Sequence, residues 1–449
     1  MLLQFSASNY RCFRGLQTLN LAASSQDKTL PENCITTEAL GLEGKRWLKG
    51  VALYGPNASG KTTILKALEA LAELVKNSAG MTDPKAPIAQ IEPFALCPGQ
   101  PESPTAFAVA FAAEGVRYEY RVAATRERIW HESLRAFPKK VEQLWFSRDW
   151  NAEADSYTWS PERPTGFPRD PQIEGYTLRN MLFLSKAVAS NRPELEPVFR
   201  WFKDRLRFLD LGPRGLITGL FTMNSIREHT SLHDRIVELL RYADLGVTDV
   251  RVLEGGHLEA EFEKNFRALT TLPPAARDPL LKNPLGRPEL VHQGTSEIEL
   301  PLPWDSESAG TQRLFRLAGP WLDILANGYT VCVDELETSM HPLMVRELLR
   351  LLFSAKENPK GAQILFTTHN PLLLDATLLR RDQVWFTDKS EDNEAHLYPL
   401  TDYSPRKGES LVRGYLSGRY GAVPFIPAGL LGTFEAHETL AKTEEAQHE

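Results

Sequence analysis

Gly55-Pro56-Asn57-Ala58-Ser59-Gly60-Lys61-Thr62 is a complete G-x-x-x-x-G-K-T, and the apolar run Val51-Ala52-Leu53-Tyr54 precedes it. The run has the length and character of a buried strand. Ile64, Leu68, Leu71 and Val75 then recur on one face of a helix that starts at the loop. Phosphate chemistry needs this order. Glycines let backbone N–H groups approach an anion, the helix N-terminus adds its positive dipole end, Lys61 neutralises β/γ oxygens and Thr62 can ligate Mg²⁺. Gly55, Pro56, Asn57, Ala58, Ser59, Gly60, Lys61, Thr62 and Thr63 are therefore the candidate nucleotide-binding residues, with Mg-ATP as the expected ligand.

A second group lies far down the chain. Thr330-Val331-Cys332-Val333 leads into Asp334-Glu335, so an apolar strand would deliver Asp334 at its carboxyl end as a Mg²⁺ ligand, with Glu335 placed to polarise an attacking water. Pro342 suits a first helical turn, and Val345, Leu348, Leu349 and Leu352 line the helix that follows. Gln363-Ile364-Leu365-Phe366 reads as another buried strand, ending at Thr367-Thr368-His369-Asn370. If the two strands are neighbours, Asp334, Glu335 and His369 meet at one sheet edge, where open α/β sheets bind ligands. Lys61, Glu335 and His369 are the candidate catalytic residues, and Thr62 and Asp334 the candidate metal ligands.

Pro- and Gly-rich breaks at residues 84–104, 160–171 and 272–288 divide the chain that must position these groups. Residues 1–125 are expected to form the first part of an α/β head, 126–294 an inserted helical and β region, 295–430 the second part of the head, and 431–449 an acidic tail that serves solubility or docks a partner. Alternation at residues 107–113 and 116–122 predicts antiparallel strands, as it does at 143–146 and 250–262. Helical spacing predicts helices over 177–191, 197–208 and 231–242. No internal repeat or sustained heptad is present.

At 449 residues and 42% hydrophobic content the chain can bury a large core. Its 51 basic and 58 acidic residues give a net charge of −7, which excludes a polybasic nucleic-acid coat and confines any DNA contact to a local patch. No apolar run approaches a membrane span, and the first residues lack a signal-like pattern, so a cytoplasmic protein with no membrane partner is expected. Cys12, Cys34, Cys97 and Cys332 are scattered, without the spacing of a disulfide framework or zinc ribbon.

Asp334-Glu335-Leu336-Glu337-Thr338-Ser339-Met340-His341-Pro342 with Thr367-Thr368-His369-Asn370 resembles the ABC/SMC-type ATPases of the RecF and OLD kind. More narrowly, the chain resembles the AAA-type ATP-binding proteins of prokaryotic restriction and anti-phage loci, the RloA-like and AriA-like class without a Toprim nuclease domain. Asn9-Tyr10-Arg11-Cys12-Phe13, the phosphate loop, Ser308-Ala309-Gly310-Thr311-Gln312-Arg313-Leu314 and the stretch over residues 408–424 share in the likeness. It implies an α/β P-loop NTPase of ABC-ATPase type, with an antiparallel β subdomain and an inserted helical region.

The resemblance also implies roles. Residues 307–312 become the signature motif, with Ser308, Gly310 and Gln312 reaching the ATP of a second copy. Asp334 becomes the Mg²⁺ carboxylate, Glu335 the base, and His369 the γ-phosphate switch; Arg11 lies near the nucleotide, and Ser339 and His341 face the dimer partner. The expected function is a nucleotide-switched sensor or scaffold that controls a separately encoded effector, a nuclease, in anti-phage defence. The expected partners are a homodimer or higher oligomer with composite ATP sites, that effector, and a DNA or phage-protein ligand. A RecF-like DNA-repair clamp is the alternative. The long stretch between Thr62 and Ser308 disfavours a transporter subunit, and the short segment after His369 disfavours an effector nuclease in the same chain.

Ser308-Ala309-Gly310 also reads as an ordinary helix start, with Leu314, Ala318, Trp321 and Leu325 as a stripe, a kink expected at Gly319-Pro320, and an end at Asn327-Gly328. Gln90 is either a nucleotide-sensing glutamine or a strand residue. His229 and His233 lack a third ligand and read as solvated or capping. Arg200, Lys203, Arg205 and Arg207, interleaved with Trp201, Phe202 and Phe208, could grip a nucleic-acid backbone or form the solvated face of an amphipathic helix.

Overall fold

A computed structural model describes residues 1–36, 44–138, 141–161, 166–209, 216–228, 230–242, 246–253, 287–294, 298–406 and 408–424. The chain opens with β1 (Leu2–Ser8), β2 (Gln17–Asn20), the short pair β3 (Cys34–Thr36) and β4 (Arg46–Leu48), then β5 (Gly50–Tyr54) and helix α1 (Lys61–Asn77). Five strands follow: β6 (Thr105–Ala113), β7 (Val116–Ala124), β8 (Ile129–Phe137), β9 (Gln143–Asn151) and β10 (Ser156–Ser160). Next come α2 (Pro171–Tyr176), α3 (Phe183–Ala189), α4 (Glu196–Arg200), β11 (Leu206–Leu209), α5 (Leu216–Glu228) and α6 (Thr230–Tyr242). Strands β12 (Val247–Leu253), β13 (Arg287–Gln293) and β14 (Glu299–Pro303) form a small antiparallel sheet. The last part holds α7 (Ala309–Asn327), β15 (Thr330–Val333), α8 (Pro342–Phe353), β16 (Gln363–Thr367), β17 (Val384–Lys389), β18 (Ala395–Pro399) and α9 (Leu411–Leu416).

The period of the apolar residues decides which sheet each strand joins. In β6, Phe107, Val109 and Phe111 are buried while the alanines between them are half-exposed, the pattern of a one-sided antiparallel strand. It belongs to a seven-stranded sheet of order β10-β9-β8-β7-β6-β1-β2. The β6–β7 turn is the two residues Glu114-Gly115, both with positive φ (49° and 77°), as a tight hairpin matched to strand twist requires. β5, β15 and β16 are buried at every position and lie in a second sheet of order β11-β15-β16-β5-β17-β18, parallel except for β18.

Continuous burial means that the second sheet is covered on both faces. Val51, Leu53, Cys332 and Leu365 face a core shared with α1 and the inner face of the antiparallel sheet. Their neighbours Ala52, Tyr54, Val331, Val333, Ile364 and Phe366 face a core built with α5 to α8. The protein is thus an α/β P-loop fold with an antiparallel β subdomain. Its β8 to β10, within residues 126–294, continue the sheet of β1 and β6, and β11 of the same stretch joins the parallel sheet beside β15.

Several local expectations are corrected. Residues 197–208 are not one helix: α4 passes into a π turn, Trp201–Arg205, and the chain then extends as β11, because Leu206–Leu209 pairs along β15 and tertiary pairing overrides local propensity. Trp201 and Phe202 are core residues, the first stacked on Phe111 and the second edge-on to it. Over 177–191 only α3 is α-helical. The helix α7 runs unbroken through Pro320, with no interruption at Gly319. Gln90 lies in irregular backbone and not in a strand. The break at 272–288 falls outside the described residues except for Arg287 and Pro288, which belong to β13; the acidic tail and His229 also lie outside them. No helix among the described residues is long and apolar enough to cross a membrane.

Candidate nucleotide site

The loop between β5 and α1 is shaped by its neighbours as well as by its own sequence. Gly55 has φ 154°, and a Cβ there would collide with the Thr387 carbonyl of β17; at Gly60, φ 107°, it would lie 2.9 Å from Ala395 Cβ and 3.2 Å from Cys12 Sγ. Both positions therefore exclude larger residues. Ala58 holds a left-handed φ of 60° between them, and the Ser59 hydroxyl is pinned to Thr387 Oγ1 at 2.6 Å. Asn57 and Ala58 are exposed and Pro56 half-exposed at the mouth of the loop.

Lys61 is buried at the start of α1, and its Nζ donates to the Gly55 and Pro56 carbonyls, both at 2.9 Å. Burial pushes this ammonium below the usual lysine value, against the opposing pull of Asp334, Glu335 and Glu337. One residue on, Thr62 Oγ1 donates to both carboxylate oxygens of Asp334, at 3.0 and 3.1 Å, closing a gap of 272 positions in the chain. Thr63 meets Cys12 Sγ at 3.0 Å, which sets the Tyr10–Phe13 turn against the first turn of α1. Arg11 lies on that turn, but its guanidinium is committed to Glu92 in a bidentate pair, at 2.8 and 3.0 Å.

β15 and β16 are adjacent and parallel, so Asp334, Glu335 and His369 do emerge at the same edge. Thr367 links them. Its hydroxyl donates to Asp334 Oδ1 at 2.6 Å and accepts from the Glu335 N–H at 2.7 Å. Glu335 is left-handed, φ 48°, a conformation that costs a residue with a side chain about 1–2 kcal/mol. Its carboxylate accepts from Thr338 Oγ1 at 3.1 Å, and its carbonyl accepts from Arg313 Nη2 at 2.8 Å. The backbone N–H of His369 donates to Glu337 Oε1 at 2.5 Å. Burial first, then the charge of Lys61, holds the His369 imidazole below the usual histidine value, against Glu337, Glu335 and Asp334. Ser339, also left-handed at φ 61°, and His341, which caps α8 by accepting the Leu343 N–H, complete the turn.

Ser308 caps α7, accepting the Thr311 N–H at 3.1 Å, and Gln312 Nε2 donates to the Trp304 carbonyl at 2.9 Å. Gly310 packs on the 335–340 turn, where an added Cβ would lie 2.8 Å from the Ser339 carbonyl. Gly310 is thus brought against the turn that follows Asp334, while Ser308 and Gln312 are held by Thr311 and Trp304 at the start of the same helix. Gln90 Oε1 is buried without a hydrogen-bond partner. His233 meets Asp249 at 3.1 Å and the Val250 carbonyl at 3.2 Å, and no metal-holding group of three or more His, Cys, Asp or Glu occurs among the described residues.

The donor set fits Mg-ATP. Thr62 and Asp334 offer hard oxygens at one point, and Mg²⁺ bound with phosphates needs only one or two protein ligands. The lysine sits on the loop carbonyls within reach of the same carboxylates. Sequence reasoning assigned no role to Thr367, Arg313 or Glu337. Thr367 had a detectable signal, since a threonine at the end of a strand beside Asp334 can only point its hydroxyl along that edge or away from it. Arg313 had none, because its partner is a main-chain carbonyl.

No curated protein matches the sequence. Among solved structures, the SMC head domain from Thermotoga maritima is similar at 12% identity and a TM-score of 0.39, over 89% of this chain and 98% of that one. The SmcHead in a crystal structure with the C-winged helix domain of ScpA is similar at 12% identity and a TM-score of 0.39, over 88% of this chain and 96% of that one. The family described as "AAA domain, putative AbiEii toxin, Type IV TA system" matches residues 51–375, from the strand before the phosphate loop to beyond His369. With most of its length matched and the loop, Asp334 and His369 inside the match, the chain belongs to this AAA ATPase family.

Proposed function

We propose that the protein binds Mg-ATP at the β5–α1 loop, hydrolyses it, and uses the nucleotide state to switch its hold on a separately encoded effector, a nuclease, in anti-phage defence. The observation that carries the chemical part is the continuous link Thr62–Asp334–Thr367–Glu335, which joins the phosphate loop to the acid pair through three hydrogen bonds of 2.6 to 3.0 Å. The family's description as a toxin of a toxin–antitoxin system supports a defence role, as does the resemblance to RloA-like and AriA-like proteins.

Bound magnesium would supply charge neutralisation and orientation of the phosphate oxygens, held here by Thr62 and Asp334. The chain's own groups do the rest. Lys61 leaves the Gly55 and Pro56 carbonyls for the β/γ oxygens, and amides of residues 55–63 cradle the phosphates. Glu335 accepts a proton from the water that attacks the γ-phosphorus as the bond to the ADP oxygen breaks, and His369, kept neutral, donates to a γ-oxygen. Arg11 lies beside this cradle. Ser308, Gly310 and Gln312 at the start of α7 meet the γ-phosphate held by a second copy, which makes ATP the join between two chains.

A DNA clamp draws less support, because two of the four basic residues of its local patch have protein partners: Arg200 pairs with Glu196 at 2.6 Å and Arg205 donates to the Asn327 carbonyl at 2.8 Å. Titration calorimetry tests the nucleotide assignment: Lys61→Ala removes a charge from the β/γ-phosphates and is expected to weaken ATP binding by about 100-fold or more. Unchanged affinity would sink it.

A further inference from the structure

We propose that Arg313 is a positioning residue for the ATPase reaction: it fixes the backbone of Glu335 from the signature helix, so that the orientation of the base depends on where α7 sits in the same chain. The inference rests on the assignment of Glu335 as the base.

Both polar atoms of the Glu335 main chain are gripped, and from different elements. Its N–H is held by Thr367 at the end of β16, and its carbonyl by Arg313 in the second turn of α7. A left-handed residue with a side chain persists only where its surroundings impose the conformation, and this pair of clamps is what the surroundings provide. Leu336 N–H donates to the Thr367 carbonyl at 3.2 Å and Thr338 N–H to the Glu335 carbonyl at 3.1 Å, so the turn beyond Glu335 inherits the same anchorage. Arg313 is itself buried, which a guanidinium tolerates only with acceptors in place.

A second contact lies one turn earlier on α7. The Gly310 Cα faces the Ser339 carbonyl with room for no side chain, so the first two turns of the helix lie flush on residues 335–339. Hydrogen bonds weaken steeply beyond about 3.2 Å, and a helix moves as a unit. A displacement of α7 by about an ångström therefore breaks the Arg313 bond to the Glu335 carbonyl, leaving it only the Thr338 N–H of its own turn, and loosens the turn. An anion seated at Ser308 and Gly310 pulls on the end of the helix that carries Arg313. Occupancy at the signature of one chain is thereby transmitted to that chain's own base, and the two sites of a dimer become mutually dependent without a shared residue.

The test compares Arg313→Met, which keeps length and apolar bulk but drops every donor, with Arg313→Lys, which keeps one. Hydrogen–deuterium exchange of the peptide spanning residues 334–341 is followed in the nucleotide-free proteins, and steady-state ATP turnover in the same preparations. Arg313→Met is expected to speed exchange at Leu336 and Thr338 and to lower kcat on the order of 10- to 100-fold with KM nearly unchanged, and Arg313→Lys to recover most of both. In a Glu335→Gln background Arg313→Met should cause no further loss of turnover. Unchanged exchange in a folded Arg313→Met, or a full additional loss in the Glu335→Gln background, would overturn the proposal. If Arg313→Met fails to fold, Gly310→Ala attacks the same surface by pushing on the Ser339 carbonyl and should give the same exchange and kcat effects; its indifference would overturn the proposal equally. A wild-type protein without turnover would instead defeat the assignment of Glu335, and the exchange comparison would still decide whether Arg313 holds the turn.

Discussion

His369 shows how one residue can be poised by opposing neighbours. Burial and the Lys61 ammonium favour its neutral form, while Glu337, Glu335 and Asp334 favour the charged one, and the balance leaves its pKa below the ordinary 6.5. A histidine whose folded pKa is depressed contributes stability that is complete above the unfolded value and is lost as pH falls through the folded one. Melts of the nucleotide-free protein from about pH 8 to about pH 5 should therefore show the wild type losing Tm relative to His369→Gln as the pH drops below 6.5. In a Lys61→Ala background the loss should be smaller, because without the cation that disfavours the imidazolium the folded pKa moves back toward the unfolded one. A wild type that gains on the variant in acid would show that the three carboxylates outweigh burial. The residues of this site were legible from sequence where phosphate chemistry dictates both type and spacing: the loop with Lys61 and Thr62, the Asp334-Glu335 pair, and His369 at the end of a strand. Arg313 and Glu337 were not, because each acts on a main-chain atom, and a main-chain partner leaves no complementary residue type to find.

Helix α7 carries a proline in its interior, and the structure shows why the helix survives it. Pro320 has no N–H, so the Arg316 carbonyl one turn earlier loses its donor. Thr222 of α5 supplies one: its hydroxyl donates to the Arg316 carbonyl at 3.2 Å and also accepts the Gly319 N–H at 3.2 Å. Gly319 is required for this approach, since a Cβ would lie 2.7 Å from Thr222 Oγ1. Thr222→Val keeps the shape and removes the donor at a fully buried site, and should cost about 1–3 kcal/mol, read as a lowered midpoint in chemical denaturation with an unchanged slope. A midpoint equal to wild type would mean that the carbonyl finds another partner. The helix continues through Gly319-Pro320 for this reason: local sequence registers the missing N–H but not the hydroxyl brought in from α5. The strand β11 was misread for a related one, as Leu206 to Leu209 become a strand only because β15 offers an open edge. Strands with clean period-two patterns, such as β6 and β7, needed no such help and were legible.

At the scale of the whole molecule the question is whether ATP joins two chains. Glu335→Gln removes the carboxylate that takes the water proton, yet leaves Lys61, Thr62 and Asp334 with their contacts, so nucleotide should bind and persist while turnover falls about 100-fold or more. Persistence of ATP should accumulate whatever state it stabilises. Gly310 packs on the 335–340 turn and Ser308 caps α7 beside it, and on the proposed reading it is the γ-phosphate of another copy that reaches them. Glu335→Gln with ATP is then expected to scatter as a dimer or larger species, and without ATP as a smaller one. Adding Ser308→Arg should abolish the ATP-dependent increase, since a long cation replaces a small donor where the second chain must approach. That change also removes the Thr311 cap, worth about 1 kcal/mol, so melts are run alongside to show that the double variant is folded. Equal mass in all four samples would mean that Ser308 is a helix cap alone, or that assembly is constitutive and nucleotide acts within a fixed oligomer. The two are separated by diluting the wild type: a mass that stays above that of one chain at every concentration is the fixed oligomer, and a monomer with ATP bound returns the signature to its role as a helix start.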